Sequence, residues 1–328
     1  MSKITAIALS NIAFTKYWGK QGNEKLNLPN NNTISMNLSA CKTTTTVEFS
    51  ENLKKDFLKI NSKIAIEKEL KRVSEHLDYI RKLAGIDLRA KVVSENSFPK
   101  GAGIASSASA HAALALAASK AAGLNLSERE LTCLARLGSG SASRSIPDGF
   151  VEWVAADKHE DSYAYSIAGP KHWKLLDLIA IVSAGEKKVG STEGHSIANT
   201  SPLYSARLQH IKKHNDILRK ALLEKDFKSF GRVLEKDVLS MHAVMMTSYP
   251  SLRYLNGGSL KLMGAVEDMR TAGIEAYYTF DAGPNAHIIT LPEFKAEVLK
   301  HIKKIREVKS IIENEPCEGA RITNKHLF

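Results

Sequence analysis

Between Leu88 and Ala122 the chain passes from a predicted strand over 88–94, through a loop holding Pro99, Gly101 and Gly103, into an Ala-rich helix that starts near Ser106. No other stretch limits the fold and its use so tightly. The loop reads Ser97-Phe98-Pro99-Lys100-Gly101-Ala102-Gly103-Ile104-Ala105-Ser106-Ser107-Ala108-Ser109. Glycines let a ligand approach the backbone, small side chains leave room, and the free N–H groups of a helix start form an anion site that the helix dipole reinforces. No Gly-Lys-Ser/Thr closes the loop, so it is not a Walker A element, and it lacks the G-x-G-x-x-G dinucleotide pattern. The plainer reading is a Gly/Ser turn capping a tightly packed helix.

The flanking segments mix both periodicities. Thr33–Leu38 alternates apolar and polar residues and Thr43–Phe49 is β-branched, which predicts paired strands within a mainly β first 60 residues. From Ser62 to Gly85, Ile66, Leu70, Val73, Leu77, Ile80 and Leu83 recur at helix spacing, and Gly85 supplies a stop. A second helix over 127–137 opens with a Ser127-Glu128-Arg129-Glu130 capping box. Residues 149–155 and 177–182 predict buried strands, 201–270 is largely helical, strands follow at 275–280 and 287–290, and a helix at 293–306 carries the stripe Phe294, Val298, Ile302, Ile305. A composition shift near Gly185 divides the chain into 1–184 and 185–328.

With 43% apolar and 25% charged residues, disordered, collagenous and coiled-coil classes are excluded. The net charge of +11 suits phosphate-bearing ligands and equally suits plain solubility. A basic nucleic-acid-binding protein is the rival from another class, but Lys300, Lys303 and Lys304 alternate with Glu297 and Glu307 on a helix, and no aromatic-interleaved basic stretch occurs, so no nucleic-acid partner is expected. Cys41, Cys133 and Cys317 form no CxxC pair and no zinc spacing, which points to a reduced cytoplasm. No export signal is read at the N-terminus, and the charge-poor run 101–119 is too polar to insert in a membrane.

The loop resembles the phosphate-binding loop of the GHMP kinase superfamily. Four further blocks narrow the resemblance: residues 11–20 (Asn-Ile-Ala-Phe-Thr-Lys-Tyr-Trp-Gly-Lys), 28–35 (Leu-Pro-Asn-Asn-Asn-Thr-Ile-Ser), 140–145 (Gly-Ser-Ala-Ser-Arg-Ser) and 278–286 (Tyr-Thr-Phe-Asp-Ala-Gly-Pro-Asn-Ala). Together they look like the signature blocks of the diphosphomevalonate decarboxylase family, and Ser191-Thr192-Glu193-Gly194 is similar to a fifth. The resemblance implies an α+β GHMP kinase fold, with a ribosomal-protein-like N-terminal domain, a ferredoxin-like C-terminal domain and the site between them. It also implies a cytoplasmic homodimer that decarboxylates a phosphorylated mevalonate with ATP and Mg2+.

An unactivated tertiary alcohol needs a carboxylate to take or orient its proton, and Asp281 is the sole carboxylate of its block. A turn aspartate before Ala282-Gly283-Pro284 is the alternative. Arg144 is the candidate for holding the substrate carboxylate through its planar fork, and Lys16 the candidate for the departing 3-phosphate. The resemblance places Tyr17, Lys20, Ser141 and Ser191 at the substrate, and Ser94, Asn96, Gly101, Gly103, Ser106 and Ser107 at the ATP phosphates, and it names no protein ligand for magnesium. His111, His195, His242 and His287 read as helix-face or strand residues.

After Arg144-Ser145 the family pattern of apolar residue, aromatic and Gly-Gly is replaced by Ile146-Pro147-Asp148-Gly149. A carboxylate beside a 5-diphosphate would be repelled, and Pro removes an N–H donor. That change suggests an archaeal-type variant acting on mevalonate 5-phosphate, or on mevalonate 3,5-bisphosphate without ATP. The 5-diphosphate remains the first expectation, and a small-molecule kinase that stops after phosphorylation is the alternative within the enzyme class.

Overall fold

Residues 2–22, 24–98, 106–183, 185 and 189–328 are described by a computed structural model of the chain. The N-terminal strands are β1 (Ile4–Ala13), β2 (Thr33–Ser50), β3 (Phe57–Ile60), β4 (Lys63–Ile64), β5 (Arg89–Asn96), β6 (Phe150–Trp153) and β7 (Ala164–Ala168). The two strands expected over 33–49 are one long strand. β2 pairs β6 through Thr33–Met36 and β5 through Thr43–Ser50, and it changes partner where exposed Ser39 and Ala40 face a register shift between Leu9 and Asn11 of β1. Alternation breaks there without ending the strand, because β1 follows it on both sides of the shift.

Against this sheet lie α1 (Glu67–Ala84), α2 (Ser106–Ala121) and α3 (Glu128–Gly138). Helix α1 starts later than its apolar spacing predicts because Lys63-Ile64 pairs with β3, and it ends at Gly85 with φ 64°. The capping box of α3 forms as read: the Ser127 hydroxyl accepts from Glu130 N–H, and the Glu130 carboxylate accepts from Ser127 N–H at 2.8 Å. In α2, Ala112, Ala113, Ala115, Ala117 and Ala118 are wholly buried, so this helix packs tightly on β1 and β2.

The second sheet is built from β8 (Leu176–Ile181), β9 (Ala276–Phe280), β10 (Ala286–Thr290) and β11 (Ser310–Asn314), in the order β11-β8-β10-β9 and antiparallel throughout. The helices are α4 (Ser191–Ser196), α5 (Tyr204–Glu224), α6 (Phe227–Thr247), α7 (Gly257–Thr271) and α8 (Lys295–Ile302). Strand, helices, two strands, helix, strand is the ferredoxin-like βαββαβ order. The fold is therefore the expected α+β arrangement of the GHMP kinase type.

Sheet membership does not follow chain order: β8, before residue 184, belongs to the second sheet, and the last strand, β12 (Arg321–Thr323), returns to pair with β1. A buried strand carries no label of its sheet, so pairing alone decides this. The helix expected at 293–306 ends at Ile302, with Val298 and Ile302 buried. Phe14, just after β1, meets Phe230 of α6 edge-on at 4.8 Å within a core that also contains Ile34, Phe150, Trp173 and Ile289. The two sheets thus share one apolar core. Among the described residues no helix is long and apolar enough to cross a membrane.

Candidate active site

Three chain segments converge on one cleft. The segment after β1 brings Lys16, Tyr17, Trp18 and Lys20; a 3-10 turn after α3, Gly140–Ser145, brings Gly140, Ser141 and Arg144; the turn after β9 brings Asp281 and Ala282. Ser191 and His195 of α4, Ser107 of α2, Arg72 of α1, Met241 of α6, and Asn27 and Ser139 complete the lining. Close packing here requires glycine at two positions. Gly19 has φ +90° and a Cβ on it would lie 1.8 Å from the Tyr204 hydroxyl, while a Cβ on Gly140 would lie 2.7 Å from the Tyr17 ring.

Lys16 is 2% exposed and its Nζ donates to Asp281 Oδ1 at 2.9 Å, whereas Asp281 is 24% exposed and faces the cleft. Burial pulls the Lys16 amine below its ordinary range, and the charge and hydrogen bond of Asp281 oppose that without cancelling it. Arg144 is held edgewise, with Nε donating to Asn11 Oδ1 at 3.1 Å and Nη1 to Thr33 Oγ1 at 2.9 Å. Its guanidinium carbon lies 5.7 Å from the centre of the Trp153 ring. Burial lowers this guanidinium to about 10, with Asp281 and Tyr17 opposing, so it stays cationic near neutrality.

His195 accepts from Gly19 N–H through Nδ1 at 3.0 Å and packs 4.1 Å from Tyr17 and 4.6 Å from Trp18, ring centre to ring centre. Burial, and then the Lys20 charge, push it down to about 3, so it is a neutral ring. Burial also raises the Tyr17 phenol, which stays protonated. Among the described residues the lining therefore holds Lys16, Lys20, Arg72 and Arg144 against the one carboxylate of Asp281. Such a balance accepts a ligand with several anionic oxygens.

Of the residues singled out from sequence, Lys16, Tyr17, Lys20, Ser107, Ser141, Arg144, Ser191 and Asp281 lie together in this lining. Ser94 and Asn96 do not: both sit on β5, where Ser94 Oγ is 2.9 Å from Thr45 Oγ1 and Asn96 Oδ1 accepts from Thr43 Oγ1 at 2.7 Å. Their polar groups serve the sheet. Ser106 begins α2 outside the lining, and Gly101 and Gly103 fall outside the described residues. His195, read as a helix-face residue, is a cleft residue. Arg72 and Asn27 were missed, since an arginine on the exposed side of α1 looks like its neighbours Lys68 and Lys71, and Ser139 stands one position before a recognised block.

Pro147 and Asp148 are not among the residues that line the cleft. Asp148 is exposed, its Oδ1 accepts from Gly319 N–H at 2.6 Å, Gly149 N–H donates to Cys317 C=O, and Ala320 N–H donates to Ile146 C=O. The expectation that this carboxylate faces the 5-substituent is therefore corrected: residues 146–149 dock the C-terminal segment, a contact between distant parts of the chain that no local pattern shows.

The family model described as "Diphosphomevalonate decarboxylase-like N-terminal domain" matches residues 8–164, and "Mevalonate 5-diphosphate decarboxylase C-terminal domain" matches 177–325. The diphosphomevalonate decarboxylase of Candida albicans is 40% identical over 306 residues, covering 88% of this chain and 84% of that protein. The crystal structure of mevalonate diphosphate decarboxylase from Staphylococcus aureus superposes with a TM-score of 0.94 at 39% identity, covering 98% of each chain. A structure of MDDEF in complex with MVAPP, AMPPCP and magnesium gives 0.93 at 36% identity, covering 98% of this chain and 99% of the other.

Proposed function

The chain belongs to the diphosphomevalonate decarboxylase family, and from that premise we propose that it converts mevalonate 5-diphosphate and ATP to isopentenyl diphosphate, ADP, phosphate and carbon dioxide. The observation that carries this reading is the cleft itself, in which, among the described residues, four cations face a single carboxylate paired with a buried lysine.

Asp281 accepts the proton of the substrate's 3-hydroxyl as that oxygen attacks the γ-phosphorus and ADP leaves. Its exposed side faces the cleft while Lys16 holds the other, which keeps the carboxylate aimed. Lys16 then offsets the charge that grows on the 3-phosphate as its C–O bond breaks. Arg144, anchored to Asn11 and Thr33, presents its remaining edge to the substrate carboxylate; the C–C bond to that carboxylate breaks and its electrons form the new double bond.

Tyr17, Lys20, Ser141, Ser191 and neutral His195 line the part of the cleft that takes the rest of the substrate. Ser107 and Ser139 lie 3.2 Å apart and Ser139 and Ser141 3.3 Å apart, an all-oxygen set that suits ATP phosphates and magnesium, a hard cation that keeps most of its ligands from phosphate and water. Bound magnesium supplies charge neutralisation at the transferring phosphoryl group, with Ser107 as the protein oxygen that would hold it.

An archaeal-type substrate rested on Asp148, and that carboxylate serves the C-terminal segment instead. The relatives compared above are fungal and bacterial decarboxylases that carry the diphosphate name. The working enzyme is proposed to be a cytoplasmic homodimer.

Three substrates test the reading: mevalonate 5-diphosphate, mevalonate 5-phosphate and mevalonate 3,5-bisphosphate, each with and without ATP and magnesium, while carbon dioxide and ADP are measured. Equal amounts of both products, from the first substrate only and only with ATP, are expected. Carbon dioxide from the bisphosphate without ATP overturns the kinase half, and ADP without carbon dioxide overturns the decarboxylase half.

A further inference from the structure

Lys16 lies three residues beyond the end of β1, outside any sheet ladder, so its backbone N–H and C=O need partners from elsewhere. Two helices of the other half of the molecule supply them. Lys16 N–H donates to Asp237 Oδ2 at 2.7 Å, and Lys16 C=O accepts from Arg207 Nη2 at 3.1 Å, with Asn31 Nδ2 also donating at 3.2 Å. Arg207, on α5, and Asp237, on α6, form an ion pair at 3.2 Å, and Arg207 Nη1 donates further to the Asp237 backbone carbonyl at 3.0 Å. Both are sealed from solvent, Asp237 at 0% and Arg207 at 4% exposure.

A buried ion pair is a poor way to gain stability, because desolvating two charges offsets their attraction, and apolar residues of similar volume do as well or better. Its placement around the backbone of one residue, with one partner on the peptide group before its Cα and one on the peptide group after it, suggests another use. A lysine reaches its target through a flexible four-carbon stem, so the position of Nζ depends on how firmly its own backbone is held. Here Asp281 approaches that Nζ from β9, while α6, which packs on β9, carries Asp237. We propose that Arg207 and Asp237 are positioning residues that clamp the Lys16 backbone on both sides of its Cα and so set the Lys16–Asp281 geometry across the two halves of the molecule. The proposal rests on the role given to Lys16 above, but its structural half does not.

Asp237 is ionised in this arrangement: full burial works to raise its carboxyl, yet the Arg207 charge, the His214 ring 3.9 Å away and the hydrogen bonds from Lys16 N–H and Arg207 hold it below the usual range. Two paired variants separate clamping from plain packing. R207L/D237L removes both charges together, so no unpaired ion is buried, but it also removes both bonds to Lys16. R207Q/D237N abolishes the ion pair while keeping a donor for Lys16 C=O and an acceptor for Lys16 N–H.

The leucine pair is expected to melt within a few degrees of the parent and to lose turnover by 10- to 100-fold, since a misplacement of about 1 Å costs on the order of 10²-fold. KM for ATP and for mevalonate 5-diphosphate should stay within about twofold, and the Gln/Asn pair should recover at least tenfold of the loss. A crystal structure of the leucine pair should show the Nζ–Oδ1 separation grown from 2.9 Å. A folded leucine pair with turnover within twofold of the parent, or with that separation unchanged, overturns the proposal. Should the leucine pair not fold, the Gln/Asn pair decides by itself: turnover within about threefold of the parent supports clamping through the backbone bonds, and a loss beyond about 30-fold overturns it. If the parent enzyme turns over none of the three mevalonates, the functional reading fails while the crystallographic separation still decides the clamp.

Discussion

Replacing Asp281 by Asn keeps the shape of the side chain and one acceptor oxygen but removes the charge 2.9 Å from Lys16 Nζ. Two effects follow. The substrate hydroxyl loses its proton acceptor, for which general base catalysis allows up to ~10⁴-fold, and a 10⁴-fold loss is about 5 kcal/mol of barrier at ~1.4 kcal/mol per decade. Lys16 loses its counter-ion. Breaking a fully buried pair costs about 3–5 kcal/mol of stability, but Asp281 is 24% exposed and water can take part, so a cost under the lower end of that range is expected here.

The second effect has a sign in pH. Burial already lowers the Lys16 pKa, and both contributions that raise it most come from Asp281, so the variant moves it lower still. The ammonium that stabilises the departing phosphate is then lost at a lower pH than in the parent. Residual activity of the variant should therefore increase relative to the parent as pH falls from 9 toward 6. Steady-state ADP release, trapped carbon dioxide and thermal melts, each across that range, measure all three quantities. Turnover within a factor of ten of the parent, or a relative pH profile that rises toward alkali, would refute the reasoning.

Arg144→Lys keeps a cation but gives up the fork that bonds Asn11 and Thr33, and carbon dioxide release should fall by ~10²-fold or more while ADP formation falls less; an unchanged ratio of the two products argues against it. Asp148→Asn should leave kcat/KM for mevalonate 5-diphosphate within about twofold, and destabilise by about 1 kcal/mol through its bond to Gly319. A gain toward the 5-phosphate would put Asp148 back in the cleft. His76, His111, His195 and His242 are all buried with lowered pKa values, burial being the first cause in each. The unfolded chain binds protons that these rings refuse, so stability is complete above about pH 6.5 and falls as pH drops below it, by up to ~1.4 kcal/mol per pH unit for each ring. Melts at pH 7.5, 6.5 and 5.5 check this, and a flat profile contradicts it. Gly231→Ala would set a Cβ 2.0 Å from the Tyr277 ring between α6 and β9, so a loss of about 1–3 kcal/mol is expected with turnover per folded molecule preserved.

How much of this was legible in the chain differs by the range of the interaction. The capping box at Ser127, the stop at Gly85, the stripe through Val298 and Ile302 and the strand over 276–280 are local: each follows from a hydrogen bond or an apolar spacing within a few residues. The same holds for Lys16, Arg144, Ser141 and Asp281, which stand in recognisable blocks. Arg72 and Asn27 could not be found that way, because their membership of the cleft depends on where α1 and the loop before β2 come to rest.

Asp148 shows the opposite error. A carboxylate standing within a family corner was read as facing the substrate, and only the return of residues 317–320 to Ile146, Asp148 and Gly149 gave it another partner. The sheet that each of β8 and β12 joins was unreadable for the same reason, since their partners lie more than a hundred residues away.

Sequence by itself determined the periodicities, the caps, the small-residue loop entering α2 and the chemical types available for catalysis, all of which are set by neighbours along the chain. Tertiary structure decided that, among the described residues, four cations face one carboxylate, that Ser94 and Asn96 bond within a sheet, and that Arg207 and Asp237 hold the backbone of Lys16. Those outcomes depend on partners 30 to 265 residues apart meeting within about 3 Å, the range over which hydrogen bonds and buried charges act. No window on the chain short enough to read as a pattern contains both partners.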